Sequence, residues 1–219
     1  SKIEPVSYYL DNHQVSQINS SLTTTVDISK AVRLLANKNI SFQGVIPVGK
    51  GFYIKSEQAE KWIENDLKNK EVLKLSSSAG DLTDDPHGKP SRWIIDFNNM
   101  SLEDASEYKL PFEHIKLTVK PEREQNRREV TKLNWWKYGE KRPAMRTAIE
   151  SLACYFTIPR HSKWFIFLPA KKEWLPADST TVVASDDFYI LGILTSNIHR
   201  IWIKAQSSTL GETTRYTHN

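Results

Sequence analysis

Apolar residues at Ala59, Trp62, Ile63 and Leu67 recur at spacings of three and four, which predicts an amphipathic helix from an N-cap at Ser56 to about Lys68. Asp186 or Asp187 caps a final helix to about Ala205, with Phe188, Leu191, Leu194, Ile198, Ile201 and Trp202 on one side. Two prolines open further helices: Pro121 a long polar one through Tyr138 that ends at Gly139, and Pro143 one that runs to about Leu152. Ser101 caps a short helix carrying Leu102 and Ala105, with Glu103 and Asp104 in its first turn. Short apolar runs at Ile40–Ile46, Phe52–Ile54, Trp93–Phe97, Tyr155–Ile158, Trp164–Leu168 and Thr180–Ala184 read as strands. Ser76–Pro90, with its serines, glycines and Asp84-Asp85-Pro86, reads as a loop. Residues 1–39 are polar apart from a short helical pattern at Ile28–Asn37. They read as a lead-in from a preceding domain, with the domain proper at 40–219. Strands and helices mix without a regular βαβ period, so the expected class is α+β with mixed or antiparallel sheets.

With 219 residues the chain can bury a core without staples. Its 39% hydrophobic content and its 7 Trp, 8 Tyr and 8 Phe exclude a disordered composition. Mean hydropathy is −0.52, and no apolar run reaches the ~18 residues of a membrane helix. A single cysteine, Cys154, excludes a disulfide framework, and the histidines at 13, 87, 114, 161, 199 and 218 show no zinc-motif spacing. The first residue is Ser, without signal peptide or basic presequence; with the closing Arg215-Tyr-Thr-His-Asn219, this suggests a segment of a longer protein.

The net charge of +4 matters less than its distribution. Gly80–Leu110 carries seven acids against three bases, whereas Glu113–Arg146 carries ten Lys and Arg against five acids. Arg160, Lys163, Lys171 and Lys172 follow, opposed only by Glu173 up to Trp174. A basic second half interleaved with aromatics suits a polyanion, although a solvated Lys/Arg surface has the same composition.

Several chemical motifs come close and fail. Gly44-Val-Ile-Pro-Val-Gly49-Lys50-Gly51 approaches a phosphate-binding P-loop, but Gly51 stands where a metal-holding Ser or Thr belongs, a strand-like Phe-Tyr-Ile follows, and Pro47 removes an amide. The structural reading is a hairpin turn. Gly49-Lys-Gly51 alone is too weak to mark a methyl-donor loop, and adjacent prolines, which an amino-methyltransferase motif requires, are absent. Asp84, Asp96, Glu107 and Lys109 imitate a metal-dependent nuclease core, the main enzymatic alternative, yet Glu107-Tyr-Lys109 lacks the strand context. Cys154, Trp135, Trp136, His199 and Trp202 read as core or packing residues before anything catalytic.

An ordered set of stretches then resembles a known family. They are Ser41-Phe-Gln-Gly44 with Gly49-Lys-Gly-Phe52, Ile94-Ile-Asp-Phe97, Val119-Lys-Pro-Glu-Arg123, Trp135-Trp-Lys-Tyr-Gly139 with Arg142-Pro143, Arg160-His-Ser-Lys163, Leu194-Thr-Ser-Asn-Ile-His199 with Trp202, and Arg215-Tyr-Thr217. From about Ile40 to Asn219 this set resembles the target-recognition region of MmeI-like, type IIL restriction–modification enzymes and related phage-defence DNA adenine methyltransferases. The resemblance implies a cytoplasmic bacterial protein whose recognition module grips double-stranded DNA. A separate methyltransferase domain of the same polypeptide would use S-adenosylmethionine to methylate an adenine turned out of the duplex. The module itself would be no enzyme and would need no cofactor or metal.

The resemblance places Arg160, His161, Lys163, Lys171 and Lys172 near the groove as base-reading candidates, with Arg160 equally suited to a structural or a phosphate contact. Lys120, Arg123, Arg127, Arg128, Arg142 and Arg215 are phosphate candidates. For the helix carrying several of them, a solvated face with Glu124–Arg128 pairs is the alternative. Arg215 and Tyr216 suit either DNA or a neighbouring segment.

Overall fold

A computed structural model describes residues 7–19, 22–24, 31–32, 34–210 and 212–217. Of the helix expected at Ile28–Asn37, residues 28–30 and 33 lie outside them; the described part forms no α-helix, only a 3-10 turn at Leu35–Asn37. The chain opens with a hairpin, β1 (Tyr8–Leu10) and β2 (His13–Val15), turned by Asp11 and Asn12 at positive φ. There follow β3 (Ser41–Gln43), β4 (Tyr53–Ile54), α1 (Ser56–Asn65), β5 (Leu73–Ser77), α2 (Ala79–Asp84), β6 (Arg92–Ile95) and α3 (Leu102–Ser106). Next come α4 (Lys109–Thr118), α5 (Lys120–Glu124), α6 (Glu129–Leu133), α7 (Pro143–Glu150), β7 (Cys154–Pro159), β8 (His161–Ser162) and β9 (Leu168–Lys171). The chain closes with β10 (Leu175–Pro176), β11 (Thr180–Val183), α8 (Phe188–Thr195), α9 (Asn197–Gln206), β12 (Thr209–Leu210) and β13 (Thr213–Arg215).

The class is α+β. One four-stranded sheet has the order β10-β5-β6-β4, a second β3-β11-β7-β9, and a small third sheet β12-β13-β8. Among the described residues the pairings between these strands are antiparallel except β10 with β5. The main core joins both larger sheets through Phe52, Ile94, Ile95, Phe97, Ile115 and Tyr155, all buried. Trp135 and Trp136 belong to it, and Trp136 Nε1 donates to Met100 O at 3.1 Å. A second cluster, Phe156, Ile158, Phe165, Phe167, Val183 and Ile203, lies beneath α8 and α9.

Several expectations need correction. The stretch from Gly44 to Gly51 is no hairpin: β3 pairs with β11 while β4 pairs with β6, so its arms enter different sheets. Gly44 is required by close approach, since a Cβ there would lie 2.1 Å from Ala177 O. The long helix from Pro121 breaks after Glu124, where Asn126 Oδ1 accepts from Arg128 N at 2.9 Å and offers the backbone a turn in place of a helical bond. Glu124 therefore pairs back to Lys120, at 3.7 Å, and not forward to Arg128. The last helix divides at Ser196, whose Oγ caps α9 by accepting from His199 N at 3.2 Å. Trp164–Phe167 is irregular because Ser162 Oγ bonds both N and O of Trp164, so the strand starts at Leu168. The supposed loop at Ser76–Pro90 contains the end of β5 and then α2, opened by a capping box between Ser78 and Asp81. Ser56 is the first helical residue of α1, which Lys55 precedes as N-cap. The sequence reading did not foresee α4, in whose first turn Pro111 is buried and tolerated.

Candidate functional site

The basic residues that the fold brings together lie where β7 runs out. Arg160 follows its last residue, Pro159. The Arg160 N–H donates to Ser179 O at 2.9 Å, and its carbonyl accepts from Tyr216 N at 2.8 Å. With the backbone held on both sides, the side chain turns to Asp178, whose carbonyl accepts from Nη1 at 3.2 Å. The same carbonyl accepts from Gln43 Nε2 at 3.2 Å, and Gln43 Oε1 accepts from Arg142 Nη2 at 3.0 Å. Arg142 and Arg160 are thus linked through one glutamine and one carbonyl. Arg142 also donates from Nε to Gly44 O at 3.4 Å and sits in the left-handed region, φ 57° and ψ 56°, immediately before Pro143 opens α7.

Arg215 joins them from β13, where it stands opposite the exposed His161 of β8. Burial lowers the Arg160 pKa from its ordinary value, and the charges of Arg215 and then Arg142 push the same way, against Asp178. Lys163 and Trp164 continue this edge, both exposed; Lys163 Nζ lies 3.0 Å from Glu212 Oε2 and 6.0 Å from the Trp164 ring centroid.

Lys171 and Lys172 are elsewhere. In the antiparallel β7–β9 pair Lys171 stands opposite Cys154, at the other end of β7 from Arg160. Six residues of strand separate the two ends by ~20 Å. Lys171 Nζ lies over Trp174 at 5.9 Å. Lys172 lines an open cleft of about 460 Å³ with Lys74, Asp96, Arg146, Glu150 and Trp174. The fold therefore divides the five base-reading candidates into Arg160, His161 and Lys163 at one end and Lys171 and Lys172 at the other.

The phosphate candidates divide as well. Arg142 and Arg215 stand with Arg160. Arg127 and Arg128 are exposed in the turn between α5 and α6, and Lys120 lies over Trp135 at 5.6 Å while pairing with Glu124. Arg123 must be removed from this group. It is 3% exposed, donates from Nη2 to Pro47 O at 2.6 Å and from Nε to Val48 O at 3.0 Å, and covers the Phe52 ring. This guanidinium ties the Gly44–Gly51 stretch to the helices and faces the protein interior.

The nuclease-like residues do not converge. Asp96 is buried in an ion pair with Arg146, Glu107 pairs with Lys68, Lys109 begins α4, and Asp84 ends α2. Among the described residues no group of three or more His, Cys, Asp or Glu stands close enough to hold a metal. His199 is half-buried, stacked on Phe167 at 5.8 Å and edge-on to Tyr216, which makes it a packing residue; burial lowers its pKa. The sequence reading missed Asp178 and Glu212, which no motif marks, and Gln43, which stood inside the quoted Ser41-Phe-Gln-Gly44.

A profile of the family described as "MmeI, target recognition domain" matches residues 23–219. The chain belongs to the MmeI target recognition domain family. Among solved structures, one described as the type IIL restriction-modification enzyme MmeI in complex with DNA superposes with a TM-score of 0.69 at 16% identity. The match covers 94% of this chain and 27% of the MmeI chain, so this chain spans about a quarter of that protein's length and shares its fold in that part. No curated protein matches the chain significantly. Among the described residues no helix is long and apolar enough to cross a membrane.

Proposed function

We propose that this chain is the DNA sequence-recognition domain of a restriction–modification enzyme, and that it positions a target adenine for methylation by a separate domain of the same polypeptide. The observation that carries the reading is the gathering of Arg142, Arg160, His161, Lys163 and Arg215 at one end of the sheets in a chain of the MmeI recognition family. Base reading falls to Arg160, His161 and Lys163 at that end and to Lys171 and Lys172 at the other. Lys120, Arg127, Arg128, Arg142 and Arg215 hold phosphates and set register. The related MmeI structure is a complex with DNA, which supports the partner.

Among the described residues the glycine-rich stretch Gly44–Gly51 does not suit the methyl donor. It is filled by its own contacts: Ala177 O against Gly44, Thr118 against Gly51, and Arg123 on the carbonyls of Pro47 and Val48. S-adenosylmethionine is therefore assigned to the separate domain, and no catalytic step to the residues described here.

The test is made in the protein that carries this domain. Replacing Lys163 and His161 together should change the methylated sequence, read from genomic methylation, while methylation continues. Replacing Lys171 and Lys172 shows whether the second end reads bases as well. A reduced rate at the original sequence in both variants, with no altered sequence, would sink the base-reading assignment. Duplex binding should also weaken steeply as salt rises, because phosphate contacts release counterions.

A further inference from the structure

We propose that Arg142, Arg160 and Arg215 together hold a single phosphodiester group of the DNA backbone, which moves Arg160 from base reading to backbone positioning. The inference rests on the DNA-binding reading above and assigns one chemical group to one place in it.

Three cations from separate parts of the chain meet here: Arg142 before α7, Arg160 after β7 and Arg215 on β13. Little neutralises them. Among the described residues Arg160 and Arg215 form no ion pair, and Arg142 reaches only Glu140, at 3.7 Å. The Asp178 side chain is felt electrostatically by Arg160, but it is the Asp178 main-chain carbonyl that accepts the Arg160 bond. Arg160 Nε is buried and meets no acceptor among the described residues. Three like charges set against only two carboxylates, Glu140 and Asp178, oppose folding, and an anionic ligand removes that opposition.

Two of the side chains are also oriented in advance, Arg142 by Gln43 and Gly44 and Arg160 by Asp178, while the β13 register sets the exposed Arg215 opposite His161. A guanine edge presents two acceptors in one plane and takes one guanidinium fork. Cations converging from three elements suit a charged tetrahedral group, with oxygens pointing in several directions.

Duplexes selected from a random pool by the protein carrying this domain supply the probe. In that duplex each phosphate is replaced in turn by a neutral methylphosphonate, and binding is followed by fluorescence anisotropy. The wild-type protein should show one position of greatest loss. Arg160→Gln and Arg215→Gln should each weaken binding about tenfold, equally for all sequences, and lower the slope of log affinity against log salt by about one. Both variants should become insensitive to the methylphosphonate at that one position. Arg215 is exposed, so its variant tests the site without touching the core, and thermal melting checks that Arg160→Gln folds. Variants that keep the wild-type sensitivity at that position, or that select a different sequence, overturn the shared phosphate site while DNA recognition stands. Failure of the wild-type protein to enrich any duplex overturns the recognition reading itself, and this site with it.

Discussion

Arg146 Nη1 lies 2.7 Å from Asp96 Oδ2, and the Asp96 side chain is only 3% exposed. Asp96 ends the Ile94-Ile-Asp run, and Arg146 reaches it from α7 while its Nε donates to Lys141 O at 2.7 Å. The pair joins the end of β6, an inner strand, to the helix that follows Arg142. A carboxylate that looked available for metal chemistry is thus engaged in holding the fold together.

Removing one member of this pair leaves the other charged and unpaired, Asp96 at a buried position or Arg146 at a half-buried one. Asp96→Ala should lower stability by about 3 kcal/mol, measured as the urea midpoint. Asp96→Asn, which keeps an acceptor for Asn98 N, should lose less. Equal losses in the two variants would show that the charge is unimportant.

Arg123 makes a second prediction. Its guanidinium satisfies the carbonyls of Pro47 and Val48, and replacing it by Ala leaves those acceptors buried and a void beside Phe52. Arg123→Ala should cost roughly 2–4 kcal/mol. Arg123→Lys should recover only part, because one ammonium does not reproduce the planar fork. Chemical denaturation of both variants decides it. A near-neutral Arg123→Ala would restore Arg123 as a surface cation.

Gly44 tests the close approach of two backbones. Any Cβ there meets the Ala177 carbonyl at 2.1 Å, and backbone cannot move aside as a flexible side chain can. Gly44→Ala should therefore lower the melting temperature by several degrees, for a cost of about 1–3 kcal/mol. It should also reduce DNA affinity, since Gly44 O and the adjacent Gln43 orient Arg142. Unchanged melting would show that β3 has freedom to shift.

The half-buried histidines give a pH dependence. Burial lowers the pKa of both His114 and His199 from the ordinary 6.5; for His114 a bond to Gly51 O partly opposes it. In the unfolded chain each binds a proton more readily, so stability rises with pH over this range. The contribution is complete above about 6.5 and is lost as pH falls toward and through the lowered folded values. The urea midpoint should decline below pH 6.5, and His199→Phe, which keeps the ring stack on Phe167, should flatten the decline. The same slope in His199→Phe and His114→Gln would assign it to carboxylates instead.

Much of the fold was legible wherever the signal is local. The Ser101 cap with Asp104 in the first turn, Pro143 at the start of α7, the Ala59, Trp62 and Ile63 part of the α1 stripe and the strands near Ile94, Phe156 and Val182 each depend on residues a few positions apart, and each is present, whereas α1 ends at Asn65 and leaves Leu67 outside it and exposed. The family was legible too, because an ordered series of short stretches carries more information than any one of them. The reading failed where a side chain competes with the helix it interrupts. Asn126 and Ser196 both bond neighbouring backbone, and helical periodicity passes over such residues without registering the break.

Many of the elements, the α+β class and the basic second half were determined by the order of residues, because propensity, capping and charge act over a few positions. Which basic residues share a surface was decided by tertiary structure alone. Pairing Lys171 with Cys154 carries it to the far end of β7 from Arg160, and pairing Thr214 with Ser162 brings Arg215 opposite His161. Burying Arg123 against Phe52 turns an apparent surface cation into an internal clamp. The physical reason is that strand register and burial depend on partners distant in sequence, so charge along the chain says how much positive potential there is, and only the fold says where it points.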